Sequence, residues 1–338
     1  MNILLIGYCH LEDGFLYASK ALEKLNYHID FFPYLIYKMD NNNNYVSDFK
    51  KVIKEKNINI CLWWNNSIQF DDINQMLNKD LINIFFNWDP FLYNYQKYNT
   101  NNWIERIDNK KKIYPLMNLI FTCFETEIKY FEKFPIIYNP PGFDENISIY
   151  KQNFDYSCDI SFILTNLYND DNEFPKEASN LNRFDIVNKL YEHRDKFKFH
   201  IYGPENLKEL YPECYKGFIK YNDCNKVFSN SKINLSIHPI VYELNQKNSK
   251  EEYFSERVPQ ILGCKGLLVS NSDFNNILKK DNDYIYIDKN IDYLNLFEKI
   301  IKNCNKYDHI RLNGYNKAIQ NYKWFHWAEN IHKQINHL

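Results

Sequence analysis

YFSERVPQILGCKGLLVSN, residues Tyr253 to Asn271, is the stretch that decides the fold. A serine and an arginine stand at the start of a short apolar helix, Gly263 and Lys265-Gly266 break it, and LLVSN reads as a buried strand. The Ser255 hydroxyl is expected to cap the helix. The helix start then offers free backbone N–H groups and the positive end of the dipole. Arg257 adds a planar fork that matches a phosphate. An anion-binding helix start leading into a parallel strand points to a nucleotide-diphosphate site in an α/β domain. A capped core helix with an incidental surface arginine is the plainer alternative.

Outward from that stretch, apolar strands alternate with helical patterns. NILLIGY opens the chain as a buried strand, followed by a helix from about Phe15 to Leu25 and the strand HIDFFPY. A lysine-rich helix over Asp48–Lys56, INICLWW, a helix near Asp71–Leu77, LINIFFNW, a helix to about Lys112, LIFTCF, a short helix at Glu125–Lys133 and IIYNPPG complete a first β-α-β series. After Pro140-Pro141-Gly142 a second series begins. It runs CDISFIL, a helix around Phe184–His193, KFHIYG, a helix at Leu207–Tyr211, a short strand GFIKY, a helix at Cys224–Asn230, INLSIHP, the opening helix-strand unit, DYIYI and two further helices. The boundary is expected near Pro140 to Gln152. Two Rossmann-like halves in one chain imply a ligand in the cleft at the carboxyl ends of their strands.

Composition is compatible with two domains and narrows the partners. The chain has 338 residues, net charge -2 and a pI near 6.5, which argues against a partner held through nucleic-acid phosphates. The eight cysteines are scattered without a C-x-x-C pair, so neither a zinc ribbon nor a thioredoxin motif is supported, and disulfides are not expected. No basic leader and no apolar run of about 20 residues are present, so a soluble, cytoplasmic setting is the expectation. G-x-G-x-x-G is missing after the first strand, and G-x-x-x-x-G-K-[ST] and G-x-S-x-G are missing throughout.

CDISFIL, Arg183 before an apolar helix, HIYG, GFIKY, SKINLSIHP and SERVPQILGCKGLLVSN, in that order, resemble the glycosyltransferases related to spore-maturation protein CgeB within the glycosyltransferase group-one superfamily. The likeness is best from about Tyr156 to Ile287; IFFNWDP and LIFTCFETEIKYF fit more weakly in the N-terminal half. The resemblance implies the GT-B fold, α/β with two facing Rossmann-like domains and a deep interdomain cleft. It implies an N-terminal acceptor domain over 1–148, a nucleotide-sugar donor domain over 149–318, and a C-terminal helix within 319–338 packing back towards the first domain. The implied activity is transfer of a sugar from a nucleotide-sugar donor, UDP by family frequency, to a hydroxyl on a glycan, protein or small molecule. No metal or further cofactor is called for, and retention of configuration is favoured.

The family usually carries R-x-x-E at this helix, its acidic group holding the ribose; here Arg257 is followed by Gln260. A glutamine still bonds a hydroxyl but loses the charge-assisted bond. Glu252 lies where the first acidic residue of the superfamily's glutamate pair belongs. The implied donor contacts are Arg183, Tyr202, Gly203, Phe218, Tyr221, His238, Ser255, Glu256, Arg257 and Gln260. Arg183 reads as a diphosphate contact or as a partner of Asp185 or Asp159. Gly203 reads as a phosphate approach or a plain turn, His238 as a ligand contact or a hydrogen-bonded core histidine, and Phe218–Tyr221 as base contacts or strand packing. For catalysis His10 and Asp13, in the first strand-to-helix loop, and Asp89, after LINIFFNW, are the candidates; loop capping is the alternative for both aspartates. Tyr253 and Trp63-Trp64 read as sugar-stacking rings or as core. Asp281-Asn282-Asp283 reads as a turn more readily than as a metal-binding D-x-D. A non-catalytic glycan-binding or surface-assembly protein, favoured by Gln260, and a sugar-nucleotide epimerase remain as alternatives.

Overall fold

A computed structural model describes residues 1–7, 14–40, 44–64, 68–88, 100–164, 167, 181, 183–238, 254–274 and 277–338. The chain divides into two compact units. One comprises Met1–Phe91, Asn101–Gly142 and Trp324–Leu338; the other holds Leu92–Thr100 and Phe143–Lys323. The main crossing thus falls directly after Pro140-Pro141-Gly142.

The first unit is built on six parallel strands: β1 (Asn2–Gly7), β2 (His28–Pro33), β3 (Ile60–Trp64), β4 (Ile82–Asn87), β5 (Leu119–Thr122) and β6 (Ile136–Tyr138), in the order β2-β1-β3-β4-β5-β6. β3 is buried along its whole length, as a parallel strand covered by helices on both faces must be. Gly7 ends β1 where any side chain would collide with β3, since a Cβ there would stand 2.2 Å from the Trp64 carbonyl oxygen. The described helices are α1 (Gly14–Glu23), α2 (Tyr34–Asp40), α3 (Tyr45–Glu55), α4 (Phe70–Met76), α5 (Thr100–Ile113) and α6 (Glu125–Tyr130). α2 was not expected, because HIDFFPY read as one strand. Pro33 ends the strand, and Tyr34 turns in to hydrogen-bond the buried Asp72, which also accepts from Tyr45 at 2.6 Å and Lys38 at 2.9 Å. Trp63 and Trp64 are core residues rather than sugar platforms; Trp63 is fully buried and donates to Asn83 at 3.1 Å.

The second unit carries five parallel strands: β7 (Cys158–Ile163), β8 (Phe199–Tyr202), β9 (Ser231–Ser236), β10 (Leu268–Ser270) and β11 (Ile285–Tyr286), in the order β11-β10-β9-β7-β8. Its helices are α7 (Arg183–Glu192), α8 (Asn206–Leu210), α9 (Cys224–Phe228), α10 (Arg257–Gly263), α11 (Tyr293–Lys302) and α12 (Asp308–Asn321). GFIKY is not a strand. Gly217 takes φ +95°, which ends the extended path, and only Tyr215 bridges to Ile201 at the sheet edge. The last helix, α13 (Trp324–Ile335), belongs to the first unit and lies on α1, with the Tyr27 hydroxyl 2.9 Å from His332 Nδ1.

His200, the second residue of β8, is buried, and its pKa is pushed down to about 4, first by burial and then by the charges of Lys216 and Lys198. A histidine held below its ordinary value near 6.5 takes up its proton in the unfolded chain first, so its contribution to stability is complete above about pH 6.5 and is lost as pH falls towards 4. Chemical denaturation should therefore show a loss of about 2 kcal/mol from this residue between pH 7 and pH 5, at about 1.4 kcal/mol per pH unit below 6.5. His200→Gln should flatten that part of the profile; an unchanged pH dependence in the variant would show that the ring is solvated.

Candidate functional site

The second sheet changes direction between β7 and β9: the chain leaves β7 towards β8 on one side and continues from β9 to β10 on the other. Crevices at the carboxyl ends of strands open at such a switch point. Arg183, the first residue of α7, follows β7 in the chain, and its Nε donates to the carbonyl of Ile237, one residue beyond β9, at 2.8 Å. Arg183 therefore bridges the switch point. The pairing with Asp159 weighed from the sequence is ruled out by geometry within the described residues, because Asp159 takes Lys232 at 2.7 Å and the Lys198 N–H at 3.0 Å at the opposite end of the strands.

His238 is buried beside it. Its Nε2 lies 2.8 Å from Ser236 Oγ, and its backbone N–H donates to Asn271 Oδ1 at 2.8 Å. Asn271 in turn donates to the carbonyls of Leu181 and His238, both at 3.0 Å. One amide thus ties together the segment before α7, the end of β9 and the end of β10. The His238 pKa lies well below the ordinary histidine value, because burial disfavours the imidazolium and the charges of Arg183 and Arg257 oppose it further. Both guanidinium groups thus act on one neutral ring. Two guanidinium groups near the carboxyl ends of these strands are of the right charge to meet an anion.

Arg257 begins α10, a helix of seven residues. Ser255 does not cap it. The residue preceding the helix is Glu256, already in helical conformation at φ -54° and ψ -29°, and the bond to the Val258 N–H at 3.0 Å comes from the Ser255 carbonyl. The Ser255 hydroxyl is buried without a hydrogen-bond partner among the described residues. Capping requires an extended residue whose side chain turns back over the first turn, and the helical Glu256 takes that place. The Glu256 carboxylate accepts the Tyr221 hydroxyl, which holds the 216–223 segment against the start of α10. Gln260 sits one turn after Arg257 on the same helical face and is 6% exposed.

Arg183, His238, Ser255, Glu256, Arg257 and Tyr221 are thus gathered around the start of α10 and the ends of β7 and β9. Tyr202 and Gly203 have packing roles. Tyr202 is buried, with its ring stacked towards Tyr156 at 6.5 Å, and a Cβ on Gly203 would meet the Leu164 carbonyl oxygen at 2.5 Å. Phe218 is 77% exposed. His10, Asp13, Asp89, Glu252 and Tyr253 lie outside the described residues. Asp281-Asn282-Asp283 forms a turn in which Asp281 is left-handed and the Asp283 carboxylate accepts from the Lys279 N–H at 2.8 Å and from Asn282 at 2.6 Å. No group of metal-ligating side chains occurs among the described residues. Sequence reasoning missed Asn271 and Ser272. Ser272 is fully buried, and its hydroxyl has no partner among the described residues. The signal was present in LLVSN followed by a second serine, since polar residues directly after a fully apolar strand mark its carboxyl end.

Residues 183–333 match the family model described as glycosyl transferase-like. No curated protein matches the sequence. Among solved structures, sucrose-phosphate synthase from Thermosynechococcus elongatus superposes with TM-score 0.69 at 10% identity, over 100% of this chain and 98% of that one. HepE of Anabaena, solved in complex with UDP and glucose, superposes with TM-score 0.65 at 10% identity over 100% of both chains. A glycosyltransferase from Rickettsia africae gives 0.63 at 11% identity, over 98% of this chain and 97% of that one. The fold is that of the GT-B glycosyltransferases, as the sequence resemblance implied.

Proposed function

We propose that this chain is a glycosyltransferase of the GT-B type that binds a nucleoside diphosphate sugar at the start of α10 and transfers the sugar to a hydroxyl acceptor. The observation that carries this reading is the placement of Arg183, which bonds the Ile237 carbonyl across the switch point of the second sheet, together with Arg257 at the start of α10. As the glycosidic bond to the donor breaks, negative charge grows on the leaving diphosphate, and preorganised cations stabilise that charge without reorganising. Two guanidinium groups supply the positive charge that a metal supplies in other designs, so the proposed reaction is metal-independent and uses no cofactor beyond its donor. UDP is the favoured carrier, supported by the UDP in the HepE structure. The acceptor is a hydroxyl on a glycan, protein or small molecule, and retention of configuration is favoured.

Calorimetry with UDP tests the site directly. Arg257→Ala should weaken binding by about 1.5–3 kcal/mol, the range for a hydrogen bond to a charged group, or roughly 10- to 150-fold. Full affinity in the folded variant would remove Arg257 from the diphosphate.

Gln260 is proposed to bond the ribose hydroxyls through its amide. Gln260→Ala should then cost more affinity for UDP than for pyrophosphate, whereas Gln260→Glu should keep or raise UDP affinity because a carboxylate makes charge-assisted bonds to both hydroxyls. Equal losses for the two ligands would place the side chain in the helix packing alone. Gln260 also motivates the second reading, a non-catalytic glycan-binding scaffold. A complete absence of thermal shift with UDP, GDP and dTDP would favour it.

A further inference from the structure

Asn271 is absent from the donor contacts that the sequence resemblance implies, yet it stands where Arg183 is held. It directly follows β10 and is buried. Its Oδ1 accepts the His238 N–H at 2.8 Å, 33 residues away in the chain. Its Nδ2 donates to the carbonyls of His238 and Leu181, each at 3.0 Å. Both amide hydrogens and the amide oxygen are thus committed to backbone groups. The side chain has one orientation, because a flipped amide would set its oxygen against two carbonyls.

What those bonds hold gives them their meaning. Leu181 stands two residues before Arg183 in the chain. His238 directly follows Ile237, whose carbonyl accepts Arg183 Nε at 2.8 Å. Asn271 therefore grips the backbone that carries the arginine and the backbone that receives it. It is itself anchored on both sides. Ser270, before it, is in register with Ser236 on β9, and its hydroxyl donates to the Ser236 carbonyl at 2.7 Å. The carbonyl of Ser272, after it, accepts the Tyr284 hydroxyl at 3.0 Å. An arginine has many rotamers, and the Nε bond selects among them only while the two backbones keep their spacing. A misplacement of about 1 Å at a reacting centre can cost about 10²-fold, so such supports are as necessary as the charge they aim.

We infer that Asn271 is the positioning residue for Arg183: it fixes the spacing between the start of α7 and the end of β9, so that the guanidinium meets the donor diphosphate in one orientation. It acts through the backbone of Leu181 and His238 and not by touching the donor. The inference rests on the assignment of Arg183 to that diphosphate.

The test joins a spectroscopic reading of Arg183 to a double-mutant cycle, both on the full chain. In arginine-labelled protein the Arg183 Nε–H signal, identified by its loss in Arg183→Ala, should exchange slowly with water. Asn271→Ala should speed that exchange by roughly tenfold or more, as local opening does. Asn271→Asp keeps the size and the acceptor for the His238 N–H but, ionised, cannot donate to Leu181. It should speed the exchange as well, and it carries the measurement if the alanine variant does not fold. Calorimetry then reads UDP and uridine. Asn271→Ala should weaken UDP about tenfold, within the range for residues coupled through one network, and leave uridine unchanged. Added to Arg183→Ala, the same substitution should weaken UDP by less than about twofold more, because the group it aims is already gone. Unaltered exchange in both Asn271 variants, an equal loss for uridine, or a full further loss on top of Arg183→Ala overturns the inference and leaves the donor assignment standing. Unchanged UDP affinity in Arg183→Ala alone removes Arg183 from the diphosphate and overturns the inference through its premise.

Discussion

Glu127→Ala should destabilise the first unit by about 3–5 kcal/mol, the cost of removing one partner from a buried ion pair. The Glu127 carboxylate is fully buried on α6 and faces Lys110 Nζ at 3.0 Å, with the lysine side chain only 4% exposed. The same carboxylate accepts from the Tyr114 hydroxyl, the Thr122 hydroxyl and the Asn87 amide. Burial and the adjacent carboxylate hold the Tyr114 pKa well above its ordinary value, so Tyr114 stays a donor. Truncation removes from the core the carboxylate that an ammonium, two hydroxyls and an amide share. The measurement is urea unfolding followed on the transition of the first unit. Glu127→Gln keeps the shape and loses the charge, so its loss should be smaller. Lys110→Met with Glu127→Leu should recover much of the loss, because apolar replacement of both members of a buried pair is often neutral. A loss below about 1 kcal/mol for Glu127→Ala would mean that water reaches the pair and that burial is not what governs it.

Replacing the carboxylate we propose as catalytic should lower turnover by about 10²–10⁴, the contribution of a positioned proton-transfer group. The proposed groups are Asp13, which directly precedes α1, and Asp89, two residues after the end of β4. Both follow strands of the first sheet at their carboxyl ends, where open α/β sheets place their ligands. Asp13→Asn and Asp89→Asn preserve shape and remove basicity, so UDP affinity should survive while turnover collapses in the variant that lacks the group handling the acceptor proton or substrate hydroxyls. His10 is the third candidate, and His10→Gln serves as the comparison. If all three variants keep turnover within about tenfold of the parent, proton transfer at this rate is not their work. A nucleotide-bound crystal structure with both carboxylates beyond about 10 Å of the β-phosphate would exclude them as the base, since hydrogen-bond reach is about 3 Å.

The Glu127 cluster also shows how the sequence conceals a buried polar network. Asn87, Lys110, Tyr114, Thr122 and Glu127 come from two strands, two helices and the connection between α5 and β5, and no spacing rule links them. Each alone reads as an ordinary polar residue, and only the sheet packs them around one carboxylate. Strands were easier to read. β1, β3, β4 and β5 are buried on nearly all their residues, so each forms a mostly apolar run of strand length, whereas β7 and β9 bury polar residues such as Ser161 and Asn234. GFIKY misled because its composition suits a strand, while the left-handed Gly217 breaks the extended path. HIDFFPY was over-read by one residue in the same way, because Tyr34 begins a helix and hydrogen-bonds Asp72, 38 residues away.

At the donor end the division is similar. The alternation of strands and helices, the change of series after Pro140-Pro141-Gly142 and the Ser-Glu-Arg start of α10 are local features, and the sequence alone determined the α/β class with two parallel-sheet halves from them. Strand order was left to the tertiary structure. Placing β9 beside β7 joins Arg183 to the Ile237 carbonyl across 54 residues, and placing β10 beside β9 brings Asn271 under His238. The same packing assigned the Ser255 carbonyl, not its hydroxyl, to the helix start. Local patterning records which residues are buried and with what period; it does not record which strand lies beside which. Residues far apart in the chain meet only after the sheet has closed, and the charges that define this site act on one another only at that point.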